Sequence, residues 1–156
     1  MNPSPGFQEA RPPYIRFERR AVEQRKTAEE GGAVFYVDMD FALITPHGSK
    51  DTTEKIVKEW LPRLTEEARQ NRIPTSWVEA YKEAYHAFQN DQEPPLNGFS
   101  IKDWPSASPA EIKMMINLRV LTVEDLAALN DEGLGRLGMG ARSLQQRAGI
   151  ALSFAT

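Results

Sequence analysis

The sequence predicts a mixed α+β fold that is mainly helical, with a small β element packed on two central helices and a helical module after them. Three observations lead to this prediction. Residues 33–45 are rich in β-branched and aromatic side chains, which is typical of a strand. Apolar residues recur at helical spacing in residues 56–64 and again in residues 77–88. Short amphipathic segments, separated by polar caps and glycines, fill residues 109–154.

The composition is that of a globular protein with one body and a small appended module. The chain has 156 residues, of which 40% are hydrophobic and 26% charged, and its net charge of −3 gives no global attraction to nucleic acid. The absence of cysteine excludes disulfides and fits an intracellular or virion protein. No apolar run approaches the ~18 residues of a membrane span, and the N-terminus lacks the apolar core of a signal peptide. We therefore expect a soluble, non-secreted protein.

The distribution of proline and glycine predicts four segments along the chain. Residues 1–13 should form an extended N-terminal arm, and residues 14–90 an α+β body. Residues 91–108 should form a Pro-rich linker, and residues 109–156 a helical hairpin module.

The N-terminal arm is a candidate for binding a partner. Its four prolines favour extended, polyproline-like backbone, and it has few apolar side chains to bury. We expect the body or, by preference, a neighbouring chain to hold it in place. The candidate partner-binding residues are Pro3, Pro5, Pro12, Pro13 and Tyr14.

The β element should contain a short strand at residues 14–17 and a longer strand at residues 33–45, with a break near Asp38 as an open alternative. Between the strands, residues 21–30 are charged and favour a helix. Two glycines follow that segment and should end the helix.

Two central helices should follow the strands. The first should begin at a cap, Ser49 or Asp51, and Pro62 should kink or split it, with a restart at Thr65. The second should span residues 75–89 and carry an aromatic stripe that packs on the first helix. The buried residues at their contact should be Trp60 and Trp77.

The C-terminal module should contain four short helices, three of which begin at polar caps that satisfy free backbone amides. The predicted caps are Ser108, Thr122 and Asn130. Gly138 and Gly140 should allow a sharp turn, after which the last helix runs from Ala141 to about Phe154.

Part of this module resembles a known family of small domains. Residues 121–126 read Leu-Thr-Val-Glu-Asp-Leu, residues 134–140 follow Leu-x-x-Leu-Gly-x-Gly, and a helix with apolar residues comes next. This pattern resembles helix-hairpin-helix and related helical domains, including the C-terminal domain of bacterial RNA polymerase alpha subunits. The resemblance implies that hairpin amides and nearby cations bind phosphate, although the same fold also serves as a packing module. The candidate phosphate-binding or partner-binding residues are Gly138, Gly140, Arg142 and Arg147.

Other clusters of polar residues favour a structural interpretation. Asp38 and Asp40 lie on one face of a strand, but no third acid accompanies them to hold Mg²⁺. With His47 and His86 as the two histidines and no cysteine, a zinc site would need an unusual number of carboxylates. Residues 46–50 lack the spacing of a phosphate-binding loop. We therefore expect no catalytic residue, no bound metal and no cofactor.

A second resemblance covers most of the chain. Residues 17–25, 37–51 and 95–105 resemble segments of small uncharacterised proteins from tailed bacteriophages and prophages. This resemblance favours a viral product and has no activity to transfer. The function we expect is that of a non-enzymatic phage accessory structural protein that acts through protein–protein contacts in the virion, at the capsid or the head–tail region. Its partners would be other phage proteins, such as a coat, portal or neck protein, with no membrane involved. The alternative is a phage nucleic-acid-binding accessory protein that uses the C-terminal module. Either would be located in the virion or the host cytoplasm.

Overall fold

The structure is a computed structural model that describes residues 11–154. The strands are β1 Tyr14–Arg25, β2 Val34–Thr45 and β3 Thr53–Ile56; the α-helices are α1 Val57–Arg69, α2 Thr75–Gln89, α3 Pro109–Asn117, α4 Val123–Ala127, α5 Asp131–Leu137 and α6 Ala141–Phe154. Within the described residues, the strands form one antiparallel sheet in the order β1-β2-β3. The predicted α+β, mainly helical fold is therefore confirmed.

The chain divides into two compact units, which we call the sheet unit and the helical unit. The sheet unit contains residues 15–44 and 53–93, and the helical unit contains described residues 11–14, 45–52 and 94–154. This division differs from the predicted boundaries at residues 13, 90 and 108. Residues 94–108 belong to the helical unit and are not a separate linker, because this segment supplies three side chains to the helical core. Those side chains are Ile101, Trp104 and Ala107.

β1 and β2 form a hairpin that is longer than predicted. Residues 21–25 are strand, so the helix predicted for residues 21–30 is wrong apart from one 3-10 turn at Ala28–Glu30. Gly31, with φ of 101°, ends that turn, and the Lys26 amide donates to the Ala33 carbonyl at 2.9 Å to close the hairpin. The weak helix preference of charged residues is overridden here by pairing with β2, which runs unbroken past Asp38.

β3 is a strand that the sequence did not predict. It pairs antiparallel with residues 41–44 of β2, and the chain passes from Ile56 directly into α1. Neither Ser49 nor Asp51 caps α1, so that prediction is wrong. Instead, the Asp51 amide donates to the Ser49 hydroxyl oxygen at 3.0 Å, within the turn that precedes β3.

α1 remains one helix through Pro62, so the predicted split does not occur. A proline within a helix removes one backbone hydrogen bond, here the bond to the carbonyl of Lys58. Thr65 does not restart a helix; its hydroxyl donates to the Leu61 carbonyl at 3.0 Å. Packing of α1 on the sheet and on α2 retains the helix despite the missing bond.

The core of the sheet unit lies between the sheet and the two central helices. Trp60 and Tyr81 are buried with their ring centroids 5.2 Å apart, and Ala42 of β2 packs in the same cluster. α2 has the predicted bounds, Thr75–Gln89. Trp77 is partly buried and packs against the same cluster.

The helical unit has the predicted caps. Ser108 and Thr122 each form a capping box, and the Asn130 side chain accepts from the Gly133 amide. α6 spans Ala141–Phe154 and packs on α4 and α5. These confirmed elements surround a core that includes Met115, with no exposed surface.

Candidate functional site

The glycine turn of the helical unit has the backbone conformation that its sequence predicted. Gly138 and Gly140 have φ of 89° and 87°, a region that favours glycine. An added Cβ would meet nothing within 4 Å at either position, so backbone conformation rather than space calls for glycine here. Leu137 and Ala141 on either side are buried, whereas Met139 at the tip is fully exposed. The turn is thus anchored at both ends and open at its tip.

The two candidate arginines beside this turn already have partners in the chain. Arg142 donates to a carboxylate oxygen of Asp131 at 3.2 Å, and the two side chains are 70% and 87% exposed. Such an exposed ion pair contributes about 0–1 kcal/mol, so an external anion can compete for Arg142. Arg147 donates to the Ser106 carbonyl at 2.6 Å and thereby ties α6 to the segment before α3. A cavity of about 300 Å³ lies beside Gly140 and Arg142.

The described end of the N-terminal arm is held by its own chain. The Pro12 carbonyl accepts from the His47 ring at 2.7 Å, and Tyr14 lies beneath the Arg119 guanidinium, 4.8 Å from ring centroid to Cζ. Pro13 lines a cavity of about 330 Å³ next to His47. The remaining arm candidates, Pro3 and Pro5, lie outside the described residues.

A buried ionic cluster in the helical unit was not anticipated from the sequence. Asp125 is 5% exposed and accepts from Arg11 at 3.1 Å and from the backbone amide of Thr122 at 3.3 Å. The Nε2 atom of His47 lies 3.4 Å from the same carboxylate, and its Nδ1 atom faces the Arg119 carbonyl. The only local signal was the Thr-x-x-Asp capping box, because the cluster joins residues far apart in sequence.

In the sheet unit, Asp40 forms the centre of a second cluster. Its carboxylate accepts from Arg19 at 2.8 Å and from the Tyr85 hydroxyl at 2.6 Å. The hydrogen bond from Arg19 holds the pKa of Asp40 below its usual value, and burial together with Asp40 raises the pKa of Tyr85. Asp38 does not share these bonds, and residues 11–154 contain no group of three or more metal-ligating side chains.

A groove of about 690 Å³ opens beside the same strand. One wall is formed by residues 37–40 of β2, and the opposite wall by α1, including Leu61 and Pro62. Because β3 pairs only with residues 41–44, no described strand covers the edge of β2 along this wall. The groove therefore combines apolar side chains with an edge of β2 that has no described partner strand. Lys58, whose carbonyl receives no hydrogen bond from Pro62, is among the residues that line it.

The beginning of β2 is exposed, and it lacks a described partner strand on the side opposite β1. Residues 34–37, which we call the exposed apolar segment, read Val-Phe-Tyr-Val and are 41%, 39%, 65% and 37% exposed. Since successive side chains of a strand point to opposite faces, both faces of β2 are uncovered here. The sequence predicted that this segment is part of a strand, which the structure confirms.

Comparisons of the chain with protein-family models, with curated proteins and with solved structures gave no match. No helix within residues 11–154 is both long enough and apolar enough to cross a membrane.

Proposed function

We propose that this chain is a non-enzymatic accessory structural protein of a tailed bacteriophage. It acts through protein–protein contacts and is part of the virion, at the capsid or the head–tail region. The observation that supports a role in protein contacts is the exposed apolar segment of β2, which has no described partner strand on the side opposite β1. The phage assignment is supported by the resemblance of residues 17–25, 37–51 and 95–105 to phage proteins.

Exposure of this segment is costly unless another protein covers it. Burial of apolar surface contributes about 25 cal/mol per Å², and an apolar strand with a free edge is a template for further pairing. Exposed apolar side chains elsewhere, such as Met139 and Ile150, stand singly on turns and helices. Four consecutive ones on a strand favour a protein partner, such as a coat, portal or neck protein.

Mass spectrometry of purified virions tests this proposal. We expect the chain to be present at a fixed stoichiometry to the coat protein and to remain through washing in high salt. A Tyr36→Lys variant should lose this incorporation, whereas Ile150→Lys, which changes an exposed apolar residue of α6, should retain it. Absence of the wild-type chain from virions would overturn the proposal.

A second candidate function is nucleic-acid binding through the C-terminal module. It is favoured by the two positive-φ glycines and by the exposed Arg142 beside them, which can approach a phosphate. Asp131 lies against the same arginine, however, and the chain as a whole is acidic. The electrostatic repulsion from these acids makes this the weaker proposal.

A further inference from the structure

The unpaired edge of β2 faces an open groove, and we propose that β2 of a second copy of this chain occupies it. The two strands pair antiparallel about a two-fold axis and join two three-stranded sheets into one. This inference builds on the proposed function, because it names the partner that covers the exposed apolar segment.

The outer edge of β1 and the free edge of β2 before residue 41 differ in the way expected if only the second is meant to pair. Six of the twelve residues of β1 are charged, which protects an edge strand from association. β2 contains no lysine, arginine or proline, and residues 34–37 carry no charge. Natural edge strands rarely combine these features unless another strand adds to them.

The groove has room for that strand. Neighbouring strands in a sheet lie about 4.8 Å apart, so an added strand would run along residues 37–40 in line with β3. One face of the added strand would then pack on Leu61 and Pro62 of α1.

A second copy fits because the sequence of β2 is self-complementary in one register. An antiparallel pairing centred on Val37 places Phe35 opposite Met39 of the second copy, which gives an apolar pair on each side of the axis. It also places Tyr36 opposite Asp38 of the second copy. A pairing centred on Asp38 instead sets two carboxylates against each other, which is destabilising.

The charges of the groove also suit this partner. Lys58 and Lys82 line the groove, and within residues 11–154 neither forms an ion pair. Asp38 is likewise without an ion pair in the described residues. An entering β2 brings Asp38 of the second copy to this wall, where the two lysines supply the opposite charge.

A single introduced cysteine tests whether a second copy pairs with β2 and whether the pairing is centred on Val37. The chain has no cysteine, so Val37→Cys introduces one thiol. At a non-hydrogen-bonded antiparallel pair the Cα atoms lie about 4.5 Å apart, within the range of a disulfide. We expect mild oxidation to convert Val37→Cys into a covalent dimer, seen on a non-reducing gel. Val34→Cys, on the same strand but away from the axis, and Ile150→Cys should stay monomeric. Equal cross-linking of all three would overturn the register.

Sedimentation equilibrium of the full chain provides the second measurement. We expect a reversible dimer. Val37→Lys should raise its dissociation constant by about tenfold or more, and Ile150→Lys should leave the constant unchanged. Circular dichroism should show that both variants are folded, since both positions are exposed. A wild-type chain that remains monomeric, or a dimer that Val37→Lys does not weaken, would overturn the inference.

Two further results separate this inference from its competitors. If deletion of residues 1–10 abolishes the dimer, the arm is the occupant and the inference fails; we expect the dimer to persist. If virions lack the chain while the cross-linked dimer forms, the proposed function fails and the dimer remains. If virions contain the chain and no dimer forms, the inference alone fails.

Discussion

The two units of this chain differ in the size of their buried core clusters. Fourteen buried residues form the core cluster of the helical unit, and polar caps satisfy the starts of three of its helices. The corresponding cluster in the sheet unit has four buried residues. The exposed apolar segment of β2 lies in this second unit. We propose that the exposed apolar segment of the sheet unit binds a partner, while the larger core cluster of the helical unit mainly stabilises the fold.

Removal of one tryptophan from each unit should give the largest effects. Trp60→Ala and Trp104→Ala each delete a buried indole and should cost about 3–5 kcal/mol. Because Trp60 is one of four buried residues in its cluster, hydrogen exchange should show loss of protection in the sheet unit ahead of global unfolding. Trp77→Ala should cost less, since Trp77 is partly exposed.

The control for this comparison is where each variant loses amide protection from hydrogen exchange. Trp104→Ala should release amides of the helical unit and leave those of β2 protected. If both variants raise exchange equally along the whole chain, the two units unfold together and the contrast between them fails.

The buried carboxylate of the helical unit should give the next largest effect. Asp125→Ala removes the acceptor for Arg11 and for the Thr122 amide, and breaking such a buried pair costs about 3–5 kcal/mol. Asp131→Ala is the matched control, because its ion pair with Arg142 is exposed. Urea unfolding should show a change below about 0.5 kcal/mol for the control. Equal losses would show that Asp125 is not a structural anchor.

In the sheet unit, the ion pair of Asp40 predicts a smaller effect that depends on pH. The folded-state pKa of Asp40 is lowered by its bond with Arg19, so its contribution is present above the ordinary value of 3.8 and is lost as the pH falls through the folded pKa. Asp40→Asn should destabilise by about 1 kcal/mol or less at neutral pH, since Arg19 is half exposed.

The pH series should compare this variant with Asp38→Asn, which removes an aspartate that has no ion pair among the described residues. The difference between wild type and Asp40→Asn should shrink in strong acid, and Asp38→Asn should change the stability little at neutral pH. A constant difference for Asp40→Asn down to about pH 2 would contradict the assignment of its pKa shift.

The sequence predicted the helical unit better than the sheet unit, for a physical reason. Helix caps such as Ser108 and Thr122 act over three residues, so a local pattern identifies them. The strand at residues 21–25 depends on pairing with β2, and its charged residues by themselves favour a helix.

The candidate sites divide in the same way. The turn glycines could be predicted because positive φ is a local requirement. The cluster of Arg11, His47 and Asp125 joins three distant segments, which no local spacing reveals. The groove could not be predicted either, because it depends on where β3 stops pairing with β2.

The smallest effect is expected at the C-terminal turn, where the two candidate functions give opposite results. If the module only packs, the double variant Arg142→Glu with Arg147→Glu should leave virion incorporation unchanged. Gly140→Val should still destabilise by about 1–3 kcal/mol, because valine is strained at φ of 87°. If the turn binds nucleic acid, a gel shift should persist at about 150 mM salt and vanish in the double variant. We expect no shift, because Asp131 and the net charge of −3 oppose a phosphate backbone. A salt-resistant shift that the two arginines control would establish nucleic-acid binding and remove the contrast between a binding sheet unit and a purely structural helical unit.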